Sequence, residues 1–504
     1  MWELDKWGLL ERFLMLGTEG GTFYVSEKKL TKDNATNVMA CIKENGMGAV
    51  NEAVRVSHQG LAHRNDQALF VVALAISHGD EETRRYAAQM LPSVARTGTH
   101  LFQFVDMATS MRGWGSLLKS AVRSWYQRLP VQDIAFQATK YAQRDGWSQL
   151  DVMRLARPLR LGNPDEKVLY DFINGKSIEE FPRTKTGLFL EAVAEAKSLE
   201  DNAKGVKRLV SLIEEHNLAR EVLPTWALNH IPVWEAMLPR MPLTATIRNL
   251  GKMSSLGMFK QIKDTPSTTT VLGKLSDGEY IRKSRIHPMS VLFALRTYES
   301  GHGFRGKLAW HPNSKIAKAL DGAFYKAFKN VIPTGKAHLL ALDVSASMSW
   351  GSISGTNITP AEASGALALV TANAEEFVEI RGFATTLKDL KIKKGDSLTT
   401  AAKKAQDNAF GGTDCAQPMI WAKKEGIEVE VFVTLTDNET WAGQSHPHEA
   451  LEAYRQKTGI PAKMVVVGMT STGFSIANPK DAGSLDVVGF SADTPIAISN
   501  FARG

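Results

Sequence analysis

Residues 338–348, HLLALDVSASM, limit what this chain can fold into more than any other stretch. Four apolar residues, 339–342, run straight into Asp343, Ser345 and Ser347. That is the pattern of a buried strand opening into a loop of oxygen ligands. One carboxylate and two hydroxyls at alternate positions converge on a hard cation if the loop curls around it. Two later stretches can complete the shell. Thr413 follows the paired glycines Gly411 and Gly412, and Asp437 ends a second apolar run at 429–435. Ligands in open α/β sheets gather at the carboxyl ends of the strands.

Asp343, Ser345, Ser347, Thr413 and Asp437 together resemble the metal-ion-dependent adhesion site of a von Willebrand factor A domain. Mg²⁺ is the expected ion. Neutral hydroxyls offset less of its charge than carboxylates would, leaving a coordination position attractive to an acidic group of a partner. A plain strand followed by a serine-rich turn does not account for three matching segments in order. An aspartyl-phosphate phosphotransferase with Asp343 as nucleophile is disfavoured, because its usual second Asp would stand where Ser345 is.

Charge is distributed unevenly. Of 60 Lys+Arg and 53 Asp+Glu, residues 336–504 hold 15 and 19, so residues 1–335 carry a formal +11 and the rest −4. A basic larger part joined to a mildly acidic smaller one suggests that the first part binds a polyanion, against the alternative of a merely solvated basic surface. The two cysteines, Cys41 and Cys415, are far apart and form no ligand pair, which fits a reducing compartment. The start, MWELDKWGLLERFLMLG, mixes charges into its apolar residues. Neither a signal peptide nor a span of roughly 20 apolar residues is expected, and the expected location is cytoplasmic.

Residues 34–228 read as successive helices of about 10 to 18 residues separated by short turns, with no strong strand pattern. DQALFVVALAISH (Asp66–His78) is apolar almost all round and should be buried. Further helices are expected over 80–97, 99–110, 115–129, 131–144 and 148–157, stacked as an α-solenoid. Pro239 and Pro242 interrupt the pattern, Gly301, Gly303 and Gly306 mark a loop, and residues 332–335 are the expected junction of domains 1–335 and 336–504. Beyond it strand and helix alternate as in a doubly wound, mainly parallel sheet. Thr359, Pro360 and Glu362 form a strong helix start.

Basic residues at helical spacing supply candidate phosphate contacts. Lys140 and Arg144 are expected four apart on one helix face, Lys119 and Arg123 repeat the spacing, and Arg154 and Arg157 follow on the next helix. Tyr141 or Trp147 can stack on unpaired bases, although Trp147 and Trp125 fit a core better than a stacking platform. His287, His302 and Arg305 are weaker candidates, chosen by charge and segment type alone.

The blocks RDGWSQLDVMRLARP, MPLTATIRNLGKM, RIHPMSVLFALRTYESGHGFRGKLAW and PTGKAHLLALDVSASM resemble those of the Ro autoantigen family, in a compact form similar to its bacterial members. The resemblance runs from near Gly20, Gly21 and Thr22 to the last residues. It implies a ring of HEAT-like helical repeats closed by a von Willebrand A domain. It also implies a central hole that takes single-stranded 3′ ends of misfolded non-coding RNA, and an outer surface that binds Y RNA. Lys140 and Arg144 match the family's Y RNA contacts, while Arg157 stands where animal members have a His. Arginine keeps a phosphate donor and loses a titratable ring.

The expectation is a non-catalytic, monomeric RNA-binding protein. It would bind a Y-like RNA and free RNA tails in quality control and processing, with a 3′-exonuclease partner. The rival is a metal-dependent protein-interaction scaffold. A nuclease is disfavoured because the basic part has no evident carboxylate cluster for catalytic metals.

Overall fold

The computed structural model describes the chain except residues 1–3, 19–21, 26–29, 31–34, 63, 159–161, 261, 305, 407–411, 438–442, 471–475, 479–480 and 504. It divides into two compact units, one of residues 6–17 and 30–241, the other of 1–5, 18–29 and 242–504.

The first unit is built from helices. Asp66–His78 is buried from residue 67 to residue 77 and packs against Thr36–Gln59, Glu81–Val94 and Gly98–Met111, as its all-round apolar surface requires. Side chains set the helix starts. Asp80 accepts from the Thr83 amide at 2.8 Å, and Thr97, Asn163, Thr184 and Asn202 cap their helices in the same way. The helix expected over 131–144 is shorter: it is Val131–Lys140. Gln143–Arg144 and Trp147–Ser148 then pair as an antiparallel hairpin. Its two-residue turn, Asp145-Gly146, has positive φ at both positions (52° and 79°). An Asp-Gly pair adopts that conformation readily, so the hairpin wins over helix continuation. Lys140 and Arg144 therefore do not share a helix face. Ser148 caps the next helix, Gln149–Ala156, through a reciprocal bond with Asp151, and Arg157 ends it in the left-handed region.

The second unit carries the sheet. Numbering all strands in chain order gives β1 (Thr22–Tyr24), the hairpin β2 (Gln143–Arg144) and β3 (Trp147–Ser148) just described, and β4 (His338–Asp343). There follow β5 (Val378–Phe383), β6 (Leu387–Asp389), β7 (Val431–Thr436), β8 (Lys463–Gly468) and β9 (Ser484–Val488). The sheet order is β1-β9-β8-β7-β4-β5-β6, parallel except for β6. Every residue of β4 and β7 is buried, as strands covered on both faces must be. The doubly wound reading holds. Two strands of this sheet were not anticipated: β6, and β1, which docks on β9 from the far end of the sequence. After β4 the chain proceeds to β5 on one side, and β7, β8 and β9 extend the other. The crevice at the carboxyl ends of β4 and β7 is thus a topological switch point.

Helices Leu243–Ser255, Pro266–Ser276, Gly278–Ser284, Pro288–Glu299 and Ser314–Lys326 belong to this same unit. Arg296 Nε donates to Glu362 at 2.6 Å, Phe293 and Phe490 approach to 6.3 Å, and the Tyr325 hydroxyl accepts from the Leu398 amide at 2.8 Å. Packing thus draws residues 242–326 to the sheet, and compactness divides the chain at 241/242. Thr359 caps Pro360–Ala374 as expected. The helix that follows Thr413 begins only at Gln417, because the Asp414 carboxylate first accepts from the Ala416 amide at 3.0 Å and the Gln417 side chain at 2.7 Å.

Candidate metal centre and nucleic-acid interface

Asp343 ends β4 with no exposed surface. One carboxylate oxygen accepts from the Ser345 amide at 2.8 Å. The other accepts from the Thr436 hydroxyl at 2.8 Å and the Thr413 hydroxyl at 3.3 Å. The Ser345 and Ser347 hydroxyls lie 3.0 Å apart. Burial pushes the Asp343 carboxyl above the usual carboxylate range and the Asp437 charge adds to this, against the bonds from Ser345 and Thr436. The half-buried Asp437 follows β7, and its carbonyl accepts from the Thr470 amide at 3.2 Å. The fold therefore brings Asp343, Ser345, Ser347 and Thr413 together, with Asp437 at the end of the neighbouring strand.

This donor set fits Mg²⁺. Adjacent ligands of an octahedral ion at about 2.1 Å stand about 3.0 Å apart, the separation that the two serine hydroxyls already have. Among the described residues no three His, Cys, Asp or Glu cluster to hold a metal, so hydroxyls would have to share the coordination. Ser345, Ser347 and Thr413 would hold the ion directly, and it would supply an electrophilic position for an incoming carboxylate.

Two further residues support the site, of which Thr436 escaped sequence reading. Thr436, the last residue of β7, is fully buried and fixes the Asp343 carboxylate; the only sequence signal was a hydroxyl directly before Asp437. Asp414 ties the Thr413 loop to the strand edge, its amide donating to the Ala384 carbonyl at 3.0 Å. Gly443 leaves room for it: a Cβ there would stand 2.6 Å from Asp414 Oδ1, and the backbone has φ +146°. Gly411 lies outside the described residues.

The basic candidates separate by what their side chains already do. Lys119 and Arg123 sit on one helix, Ser116–Gln127, as expected. Arg123 Nε, however, donates to the Ala156 carbonyl at 2.6 Å and so closes the end of the helix Gln149–Ala156. Lys140, at the end of its helix, lies over the Phe136 and Tyr141 rings at 5.7 and 5.3 Å. Arg144 is exposed in β2, with Asp145 at 3.7 Å, and Arg154 and Arg157 are exposed on and just after the following helix. Trp147 is half-buried against Trp114 at 5.8 Å, while Trp125 is core and donates to the Ala95 carbonyl.

His287 does not suit a phosphate contact. Its Nδ1 accepts from the Met289 amide at 3.1 Å as a helix cap, and burial pushes its pKa down to about 4, so the ring is neutral. His302 is exposed in a loop bridged to Ala309. Arg305, Gly20 and Gly21 lie outside the described residues.

Comparison with known proteins identifies the two parts of the chain by family. Residues 2–209 and 214–297 match the TROVE domain, and residues 337–502 match the Ro60 vWA domain. The chain is 39% identical over 497 residues to RNA-binding protein RO60 of Deinococcus radiodurans, spanning 98% of this chain and 92% of that one. It is 33% identical over 567 residues to RNA-binding protein RO60 of Caenorhabditis elegans, spanning 98% and 87%. The crystal structure of the Deinococcus radiodurans RO (RSR) protein superposes with a TM-score of 0.92 at 37% identity, over 99% of this chain and all of that one. A helical TROVE region followed by an α/β domain with its hydroxyl-rich strand edge makes this chain a member of the Ro60 family.

Proposed function

We propose that the chain is a non-catalytic RNA-binding protein that recognises Y-like RNA through Lys140, Arg144 and Arg157. The observation that carries this reading is the grouping of three cations, the half-buried Lys140 and the exposed Arg144 and Arg157, around one short segment: a helix end, a hairpin and the next helix end. Each element presents its cation from a rigid backbone position, which suits successive phosphates of a structured RNA. Lys119 sits one helix earlier, and Arg123 keeps an exposed surface although its Nε is engaged. Lys140 rests on two aromatic rings and so loses less side-chain entropy on meeting a phosphate.

The finer reading follows the family resemblance. Single-stranded 3′ ends of misfolded or precursor RNA enter an opening enclosed by HEAT-like repeats, Y-like RNA limits access, and a 3′-exonuclease acts on the delivered RNA. An opening that admits an unpaired tail and rejects a duplex selects by shape. Mg²⁺ at Asp343, Ser345, Ser347, Thr413 and Asp437 docks an acidic partner. The division at 335/336 separates the RNA-binding part from this docking part. The protein acts as a cytoplasmic monomer; no described helix is long and apolar enough to cross a membrane.

The test compares wild type with a Lys140→Ala/Arg144→Ala double variant. The probes are a structured Y-like RNA, a blunt duplex and the same duplex with a 3′ tail. Loss of the structured RNA with retention of the tailed duplex supports two separate sites. Equal binding of blunt and tailed duplex sinks the threading reading. If wild type binds none of them at moderate salt, the chain is a metal-dependent protein scaffold instead.

A further inference from the structure

The first unit holds a cavity of about 390 Å³ that the RNA reading does not use. It opens where helix Thr36–Gln59 ends and helices Asp66–His78 and Gly98–Met111 begin. Its polar wall is a connected network. Arg96 donates to the Ser57 carbonyl at 3.0 Å and hydroxyl at 2.7 Å, and the Ser57 hydroxyl donates to Asn65 Oδ1 at 2.6 Å. Asn65 Nδ2 donates to the Val94 carbonyl at 2.9 Å, and the Arg96 amide donates to His100 Nδ1 at 3.2 Å. Arg128 stands behind the wall, donating to the Arg96 carbonyl at 2.8 Å; among the described residues its buried Nε has no partner.

Charge in this wall is unbalanced. Arg64 and Arg96 line the cavity and Arg128 backs it, while the one lining carboxylate, Asp66, is paired with Arg64 at 3.1 Å. Burial, then Arg96 and Arg128, push the His100 pKa down to about 4, so the ring is neutral at physiological pH. Its Nδ1 accepts from Arg96, which leaves the proton on Nε2 as a donor. The Asn65 side chain, engaged by Ser57 and Val94, makes no cap bond to helix Asp66–His78, and the only acidic group in that helix's first turn is Asp66, which pairs with Arg64.

We propose that this cavity binds a phosphate monoester of nucleotide size. Guanidinium forks and helix-start amides match phosphate oxygens in charge and geometry. The guanidinium excess favours an anionic ligand over a neutral one. The volume lies in the range of small-molecule sites and exceeds what bare phosphate needs, and Val56, Ala62 and Ala68 supply apolar surface for the organic group. The phosphate belongs either to a free nucleotide or to an RNA terminus; the recognition chemistry is shared. The inference does not rest on Lys140 or Arg144.

Calorimetric titration of the full chain tests it, using AMP, inorganic phosphate, and a ten-nucleotide RNA with and without a 5′-phosphate. AMP should bind wild type more tightly than phosphate does. Arg96→Gln should weaken AMP about tenfold by removing a charged donor. Gln103→Glu, isosteric and adding a like charge to the lining, should weaken it about fivefold without removing an Arg96 contact, and covers the case in which Arg96→Gln destabilises the fold. Affinity for the structured Y-like RNA should be unchanged in both variants, which separates this site from the Lys140 site. Tighter binding of the phosphorylated oligomer, competed by AMP, assigns the ligand to an RNA terminus; AMP binding with no difference between the oligomers assigns it to a free nucleotide. The proposal is overturned if wild type binds neither AMP nor the phosphorylated oligomer at about 5 mM, or if both variants bind as wild type does.

Discussion

Magnesium should stabilise the wild-type chain against heat and leave an Asp343→Asn variant unaffected. The variant keeps an acceptor for the Ser345 amide and presents an amino group where the second carboxylate oxygen was, toward Thr436, whose hydroxyl can turn to accept. It also removes a charge that burial opposes. Its metal-free stability should therefore lie within about 1 kcal/mol of wild type. An ion bound only by the folded state adds RT ln(1 + [Mg²⁺]/Kd), about 2.7 kcal/mol at a hundredfold excess over Kd. For a unit the size of residues 242–504 that is a rise of about 5 °C in the transition containing the sheet. Differential scanning calorimetry with and without Mg²⁺ on both chains measures it. The same rise in both chains would place the ion elsewhere, and no rise in wild type up to about 20 mM would remove Mg²⁺ from the site.

His100 and His287 are both held near a pKa of about 4 in the folded chain, chiefly by burial, against 6.5 as the ordinary value. The unfolded chain takes up protons between those values and the folded chain does not. Stability from each ring is therefore complete above pH 6.5 and falls as pH drops toward 4, by at most about 3 kcal/mol per ring and less for their partly exposed portions. Urea unfolding from pH 7.5 to 4.5 should show a shallower decline in His100→Gln; an unchanged slope contradicts the assignment. Arg455 pairs with Asp481 at 3.0 Å with side chains only 11% and 4% exposed. Arg455→Met should cost about 3 kcal/mol in denaturant unfolding by leaving the buried Asp481 charge with only the Gly483 amide and the Ser484 hydroxyl among the described residues, and a loss below about 1 kcal/mol would show that those two bonds suffice. Lys140→Met should reduce the salt dependence of Y-like RNA affinity by about one counterion; the same slope as wild type would mean that Lys140 meets no phosphate.

Much of this was legible along the chain because it depends on local chemistry. The apolar run into Asp343, Ser345 and Ser347 announces a strand and its ligand loop, and Thr359-Pro360 announces a helix start, since both signals span a few residues. The Asp145-Gly146 turn was equally local, yet the four-residue spacing of Lys140 and Arg144 masked it; the positive φ that Gly146 accepts decides for the hairpin. Arg123 and His287 show the opposite case. Their charge and spacing suit RNA, but one closes a neighbouring helix end and the other caps its own helix, and a side chain's prior engagement is invisible without its neighbours.

By itself, the sequence determined most of the order of helices and strands, the charge polarity of the two parts and which hydroxyls follow the first buried strand, because hydrophobic period, capping chemistry and donor type are written residue by residue. Only tertiary structure decided that β1 joins β9, that residues 242–326 pack with the sheet, that Thr436 holds Asp343, and that Arg64, Arg96 and His100 surround one cavity. Those outcomes bring together groups distant in the chain. Their energies come from burial and from satisfying buried polar groups, which depend on what stands opposite each residue in space.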